Sequence, residues 1–165
     1  MTAANVLTLF RLVFFAVFIW GTVAGKSGVV LIMYAFAWGL DVVDGWTARH
    51  LSQETALGYV LDKAVDRLVL MGGVAALLAE GWAPWYLTLL LAKDFIVLPA
   101  AAMRISAGRE EIALGLPGKA VSVLQGAGVM WAVLDLPGLA AYTLAVALGG
   151  GVVGFAYMWK TLDGQ

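Results

Sequence analysis

Residues 41–67 read DVVDGWTARHLSQETALGYVLDKAVDR and lie between two long apolar runs. Asp41 and Asp44 are three residues apart, and Asp62 and Asp66 are four apart. On helices, either spacing puts both side chains on one face. The first pair closes one apolar run and the second opens the next, so a short polar turn brings the pairs together. A charged side chain deep in a membrane helix costs roughly 2.5–3.5 kcal/mol. Four carboxylates, dry and unpaired, then cost on the order of 10 kcal/mol, comparable to the stability of a whole domain. A position near the interface and entry of water lower that figure. Arg49, Lys63 and Arg67 neutralise part of the charge, but two divalent cations match four carboxylates charge for charge. Hard oxygen ligands without His or Cys suit Mg²⁺ or Mn²⁺ rather than zinc. Two such ions roughly 3.5–4 Å apart are a known device for displacement at phosphorus.

Outward from this stretch the chain is apolar almost throughout. Of its 165 residues 62% are hydrophobic and 13% charged, with a mean hydropathy of +0.92. A soluble domain carries roughly 25% charged residues, so this surface must largely face lipid. A bilayer core needs about 20 helical residues per crossing. Apolar runs at 6–23, 29–47, 56–78, 85–103, 120–134 and 139–159 supply six candidates. Turn chemistry separates them: Gly25-Lys26-Ser27-Gly28, Gly81 to Pro84, Gly108 through Pro117-Gly118, and Pro137-Gly138. The sequence therefore predicts an all-α polytopic membrane protein, a single domain over 1–165 formed by a six-helix transmembrane bundle. The run at 12–20 has the size of a signal-peptide core, but no basic segment precedes it and it reads as a retained span.

With the N-terminus inside, inner connections hold Arg49, Arg104, Arg109 and Lys119 and the tail holds Lys160, against Lys26 alone outside. The positive-inside rule then puts both termini, and residues 49–53, in the cytoplasm. Zero cysteines exclude disulfides and thiolate metal sites. The net charge of −1 is not that of a nucleic-acid binder. Seven tryptophans suit interfacial anchoring, Trp82, Trp85 and Trp159 lying near predicted span ends.

The pattern Asp41-x2-Asp44-Gly45-x2-Ala48-Arg49-x8-Gly58-x3-Asp62-x3-Asp66 resembles the signature of the CDP-alcohol phosphotransferase family at every fixed position and spacing. A chance match is on the order of 10⁻¹⁰ per starting position at average residue usage. The resemblance extends over most of the chain, because that family also has a six-helix membrane core with the motif across spans two and three. It implies that Asp41, Asp44 and Asp62 are metal ligands holding the donor diphosphate through two ions. Asp66 would be a shared ligand and the general base for the acceptor hydroxyl. Gly45, Ala48 and Gly58 match small residues that let the cytidine nucleotide lie close to the backbone; taken alone, they equally suit close helix packing. Arg49 matches the motif arginine, placed against nucleotide phosphate or a carboxylate of the cluster.

Three further elements carry weaker signals. Asn5-x2-Thr8-x2-Arg11 resembles an N-terminal element of phosphatidylglycerophosphate synthases and their relatives, which implies that Asn5 and Thr8 contact the donor. The alternative is a capped helix start with Arg11 snorkelling to headgroups. Gly118-Lys119-x2-Ser122-x2-Gln125 resembles the G-K-x2-T-x2-Q element of the same group, with Ser for Thr. Lys119 there can meet an acceptor phosphate or serve as a plain inner anchor. Lys93-Asp94 falls inside the fourth run, where an isolated charge pair signals function or an ion pair bracing the acids. Arg104 and Arg109 suit an acceptor phosphate or anionic headgroups. Lys63 and Arg67 stand where many relatives have proline and lysine, and His50, the sole histidine, reads as a solvated loop residue.

The resemblance implies phosphatidyl transfer from CDP-diacylglycerol to an alcohol with release of CMP, in phospholipid biosynthesis. The expected acceptor is glycerol 3-phosphate, with phosphatidylglycerol as the alternative. It also implies a homodimer in a prokaryotic inner membrane, its polar cavity facing the cytoplasm. Rival classes are a prenyltransferase, which also pairs aspartates with Mg²⁺, and a cation transporter with intramembrane acids.

Overall fold

A computed structural model describes residues 3–51, 56–107 and 115–163, with side-chain surroundings for 10–40, 64–107 and 115–163. The described residues are all-helical: α1 (Ala3–Val23), α2 (Ser27–Leu51), α3 (Ala56–Ala79), α4 (Ala92–Ser106), α5 (Gly115–Val133) and α6 (Leu139–Leu162). A 3₁₀ helix, Trp85–Leu91, runs directly into α4. All six expected apolar runs are helical, and the breaks end helices as the glycines require. Gly25 and Gly81 adopt φ of +67° and +70°. At the first, Lys26 N–H bonds to the Gly21 carbonyl at 2.9 Å; at the second, Trp82 N–H bonds to Leu77 at 2.8 Å. Both are the six-to-one bond that closes a helix over a left-handed residue.

Two boundaries differ from expectation. The fourth run winds first as 3₁₀ helix, an unusual length for that geometry. Gln125 of α5 donates to the Leu90 carbonyl at 2.5 Å, just where the winding changes. A side chain occupying a carbonyl at that junction supplies a physical cause. In addition, α5 begins at Gly115, so Pro117-Gly118 belongs to its first turn rather than to the preceding break. The first turn of a helix has no use for the missing proline N–H.

Contacts group the chain into two units, Met1–Pro84 with Val129–Asp135, and Trp85–Gly128 with Leu136–Gln165. In the first, α1 packs on α2 and α3. Phe15 and Phe18 stack with centroids 5.8 Å apart, and Phe18 meets Tyr34 of α2 at 5.4 Å. Gly72 of α3 leaves the space the Phe15 ring fills; a Cβ there would lie 2.5 Å from the ring. In the second unit, α4 crosses α6 at Gly150 and Gly154, one turn apart. A Cβ on either would come within 3.1 Å of Lys93 or Ile96. This is close approach of helices through small residues.

The outward face of α6 is apolar: Leu144, Leu148, Val152, Phe155, Trp159 and Leu162 are exposed, while Thr143, Val146, Gly150, Gly154 and Tyr157 are buried. Both stripes follow the helical period, and an apolar stripe turned outward is a lipid-facing surface. Among the described residues, Trp85–Ser106 and Leu139–Leu162 are long and apolar enough to cross a bilayer; Phe10–Val23 and Ser27–Leu40 are shorter apolar helices.

Candidate active site

The motif divides between two contacting helices, α2 and α3. Asp41, Asp44, Gly45, Ala48 and Arg49 belong to the later part of α2, and Gly58, Asp62 and Asp66 to the first half of α3. The side chains of Asp41, Asp44, Gly45, Ala48, Arg49, His50, Gly58, Asp62 and Lys63 lie outside the described residues, as do those of Asn5 and Thr8 and all of Arg109. Asp66 is the motif acid whose surroundings are described. Among the described residues no three His, Cys, Asp or Glu side chains gather as a metal-ligand set.

Asp66 is about one-third exposed, and its Oδ1 accepts a charge-assisted hydrogen bond from Nη1 of Arg11. Arg11 itself is 1% exposed. It heads a stripe on α1 formed with Phe15, Phe18 and Thr22, all buried, at spacings that keep one face toward the packed interior. Arg11 therefore does not snorkel. The Asn5-x2-Thr8-x2-Arg11 spacing gave no indication of its partner, 55 residues away. Arg11 brings to Asp66 a positive charge not counted from the sequence alongside Arg49, Lys63 and Arg67.

A second polar group lies inside the other unit. Lys93 and Asp94 are buried, at 0% and 1% exposure, and both bond to α5. Lys93 Nζ donates to Ser122 Oγ at 2.6 Å and to the Gly118 carbonyl at 3.4 Å; Ser122 Oγ also donates to that carbonyl at 3.1 Å. Gln125 Nε2 donates to Asp94 Oδ2 at 2.7 Å as well as to Leu90. The charge pair of the fourth run and the Gly118–Gln125 element thus form one interlocked network, a pairing the sequence did not indicate. The available signal was physical: a buried lysine and carboxylate require polar partners, and Ser122 and Gln125 share a helix face. Lys119 is exposed and stands apart from this network, and Arg104 is buried in the last turn of α4. A cation there complements the helix dipole.

The apolar exterior and the two bilayer-length helices point to a membrane protein whose motif acids are carried by the adjoining helices α2 and α3. The family model for CDP-alcohol phosphatidyltransferase matches residues 1–157. A Mycobacterium tuberculosis protein provisionally named a cardiolipin synthase is 30% identical over 132 residues, covering 74% of this chain and 59% of that protein. A Yersinia pestis protein named CDP-diacylglycerol–glycerol-3-phosphate 3-phosphatidyltransferase is 29% identical over 141 residues, 76% of this chain and 74% of that protein. This chain spans about three-fifths of the length of the mycobacterial relative. The chain belongs to the CDP-alcohol phosphatidyltransferase family.

Proposed function

We propose that this protein transfers a phosphatidyl group from CDP-diacylglycerol to an alcohol, releasing CMP. The observation that carries the reading is the complete eight-position motif, Asp41 to Asp66, within a family match covering residues 1–157. Glycerol 3-phosphate is the favoured acceptor, supported by the Asn5–Arg11 and Gly118–Gln125 elements and by the name of the Yersinia relative. Phosphatidylglycerol is the second reading, supported by the name of the mycobacterial relative.

The acceptor hydroxyl oxygen attacks the phosphorus that carries the diacylglycerol. The new P–O bond forms as the bond to the bridging diphosphate oxygen breaks, and CMP leaves with that oxygen. Asp66 takes the hydroxyl proton; one-third exposure leaves its carboxylate within reach of a substrate. Arg49, Asn5 and Thr8 hold the donor, and Gly45, Ala48 and Gly58 admit the nucleotide beside the backbone. Arg104, Arg109 and Lys119 are the cations proposed to serve a phosphorylated acceptor, whereas Lys93, fully buried with its Nζ on Ser122 and Gly118, takes the bracing role instead. The donor set, four aspartate carboxylates without thiols, fits Mg²⁺ or Mn²⁺ held by Asp41, Asp44, Asp62 and Asp66. When bound, such ions supply the positive charge that a developing phosphate dianion needs.

The same reading takes the chain as one domain of six membrane spans, dimeric, in a prokaryotic inner membrane, with the site open to the cytoplasm. The apolar exterior supports membrane residence, and the basic inner connections support the orientation.

The deciding experiment measures CMP release by purified protein from CDP-diacylglycerol with glycerol 3-phosphate, phosphatidylglycerol, serine, inositol or inositol phosphate. Release with glycerol 3-phosphate above the other acceptors is expected. Release only with phosphatidylglycerol makes the second reading correct. No release with any acceptor, alongside turnover of a prenyl diphosphate or cation flux in sealed vesicles, ends the phosphatidyltransferase reading.

A further inference from the structure

The geometry points to Arg11 as the residue that positions the Asp66 carboxylate for catalysis, a role that rests on the activity proposed above. The asymmetry of the pair is the first ground. The cation is 1% exposed and the carboxylate 34% exposed, so the guanidinium is anchored inside the helical packing and holds an acid at the edge of it. A surface salt bridge has two mobile partners and fixes little. Here one partner is immobile.

The immobility has a visible origin. One turn along α1 from Arg11, the Phe15 ring sits in the space left by Gly72 of α3. Phe18 and Tyr34 continue the packing. The backbone that carries Arg11 is therefore locked against the helix that carries Asp66. The guanidinium is planar, with donors in a fixed fork, so a bond from Nη1 to Oδ1 constrains the carboxylate in rotation as well as in place. A lysine has the charge without the plane. The consequence is chemical: a base must approach the hydroxyl with the correct reach and direction, and Arg11 claims one of the two Asp66 oxygens in advance.

CMP release and folded fraction are measured in detergent for wild type, Arg11→Lys and Arg11→Ala. Arg11→Lys keeps the charge and is expected to fold, with kcat lowered about tenfold or more and the KM for CDP-diacylglycerol within about threefold. Arg11→Ala is expected to lose about 100-fold in kcat and to recover part of it with added methylguanidinium. A role confined to holding α1 against α3 lowers the folded fraction and leaves kcat per folded molecule unchanged. Should Arg11→Ala fail to fold, Arg11→Lys decides alone. An active wild type with Arg11→Lys at full kcat overturns the positioning role and spares the activity. A wild type that releases no CMP from CDP-diacylglycerol overturns the activity and the role with it.

Discussion

Asp66 is one-third exposed and held on one oxygen by Arg11, a combination suited to a base that must be both reachable and aimed. Its replacement by Asn keeps the shape and removes the basicity. Asp66→Asn is expected to lower CMP release by about 10²–10⁴-fold at unchanged folded fraction; near-normal turnover removes Asp66 from the base role. The buried network of the second unit makes a different demand. Gln125→Leu deletes bonds to Leu90 and Asp94 and leaves the carboxylate short of a donor. Membrane hydrogen bonds between helices contribute about 0.6–2 kcal/mol each, so unfolding in denaturant is expected to come about 2 kcal/mol easier. Lys119, exposed, offers the contrast. Lys119→Gln should leave stability unchanged and raise the KM for a phosphorylated acceptor, and an unaltered KM assigns it to anchoring alone.

Helices here are placed by absent side chains as much as by present ones. Gly150 and Gly154 bring α6 against Lys93 and Ile96 of α4, and neither has room for a branched side chain. Gly154→Leu overpacks that crossing and is expected to lower stability by about 1–3 kcal/mol, read as a lower melting temperature in detergent. Gly151, one step round the same helix, has open space around its Cβ position. Gly151→Leu should be close to neutral, and equal losses in the two variants contradict the described crossing. Legibility differed between elements. The six helices followed from apolar runs and turn glycines, because a backbone in lipid has to satisfy its own hydrogen bonds. The 3₁₀ winding of Trp85–Leu91 did not, since the Leu90 carbonyl is engaged by Gln125 from another helix.

For the whole molecule, orientation and metal dependence are the testable properties. The chain has no cysteine, so single introduced cysteines report cleanly. Gln53→Cys is expected to react with an impermeant maleimide only from the cytoplasmic side, and Lys26→Cys only from the opposite side. The reverse pattern inverts the proposed topology. Chelation with EDTA should stop CMP release, with Mg²⁺ or Mn²⁺ restoring it. Turnover that survives chelation removes the ions from the reaction.

Composition, spacing and turn residues determined the membrane class, the helices and the two acid-bearing segments, because each depends on local chemistry: apolar length, helical period and glycine stereochemistry. Which residue faces which was a matter for tertiary structure alone. Arg11 reaches Asp66 across 55 residues, and Lys93-Asp94 closes on Gly118, Ser122 and Gln125. A buried charge demands a partner, but sequence carries no distance between helices. Packing chose the partner.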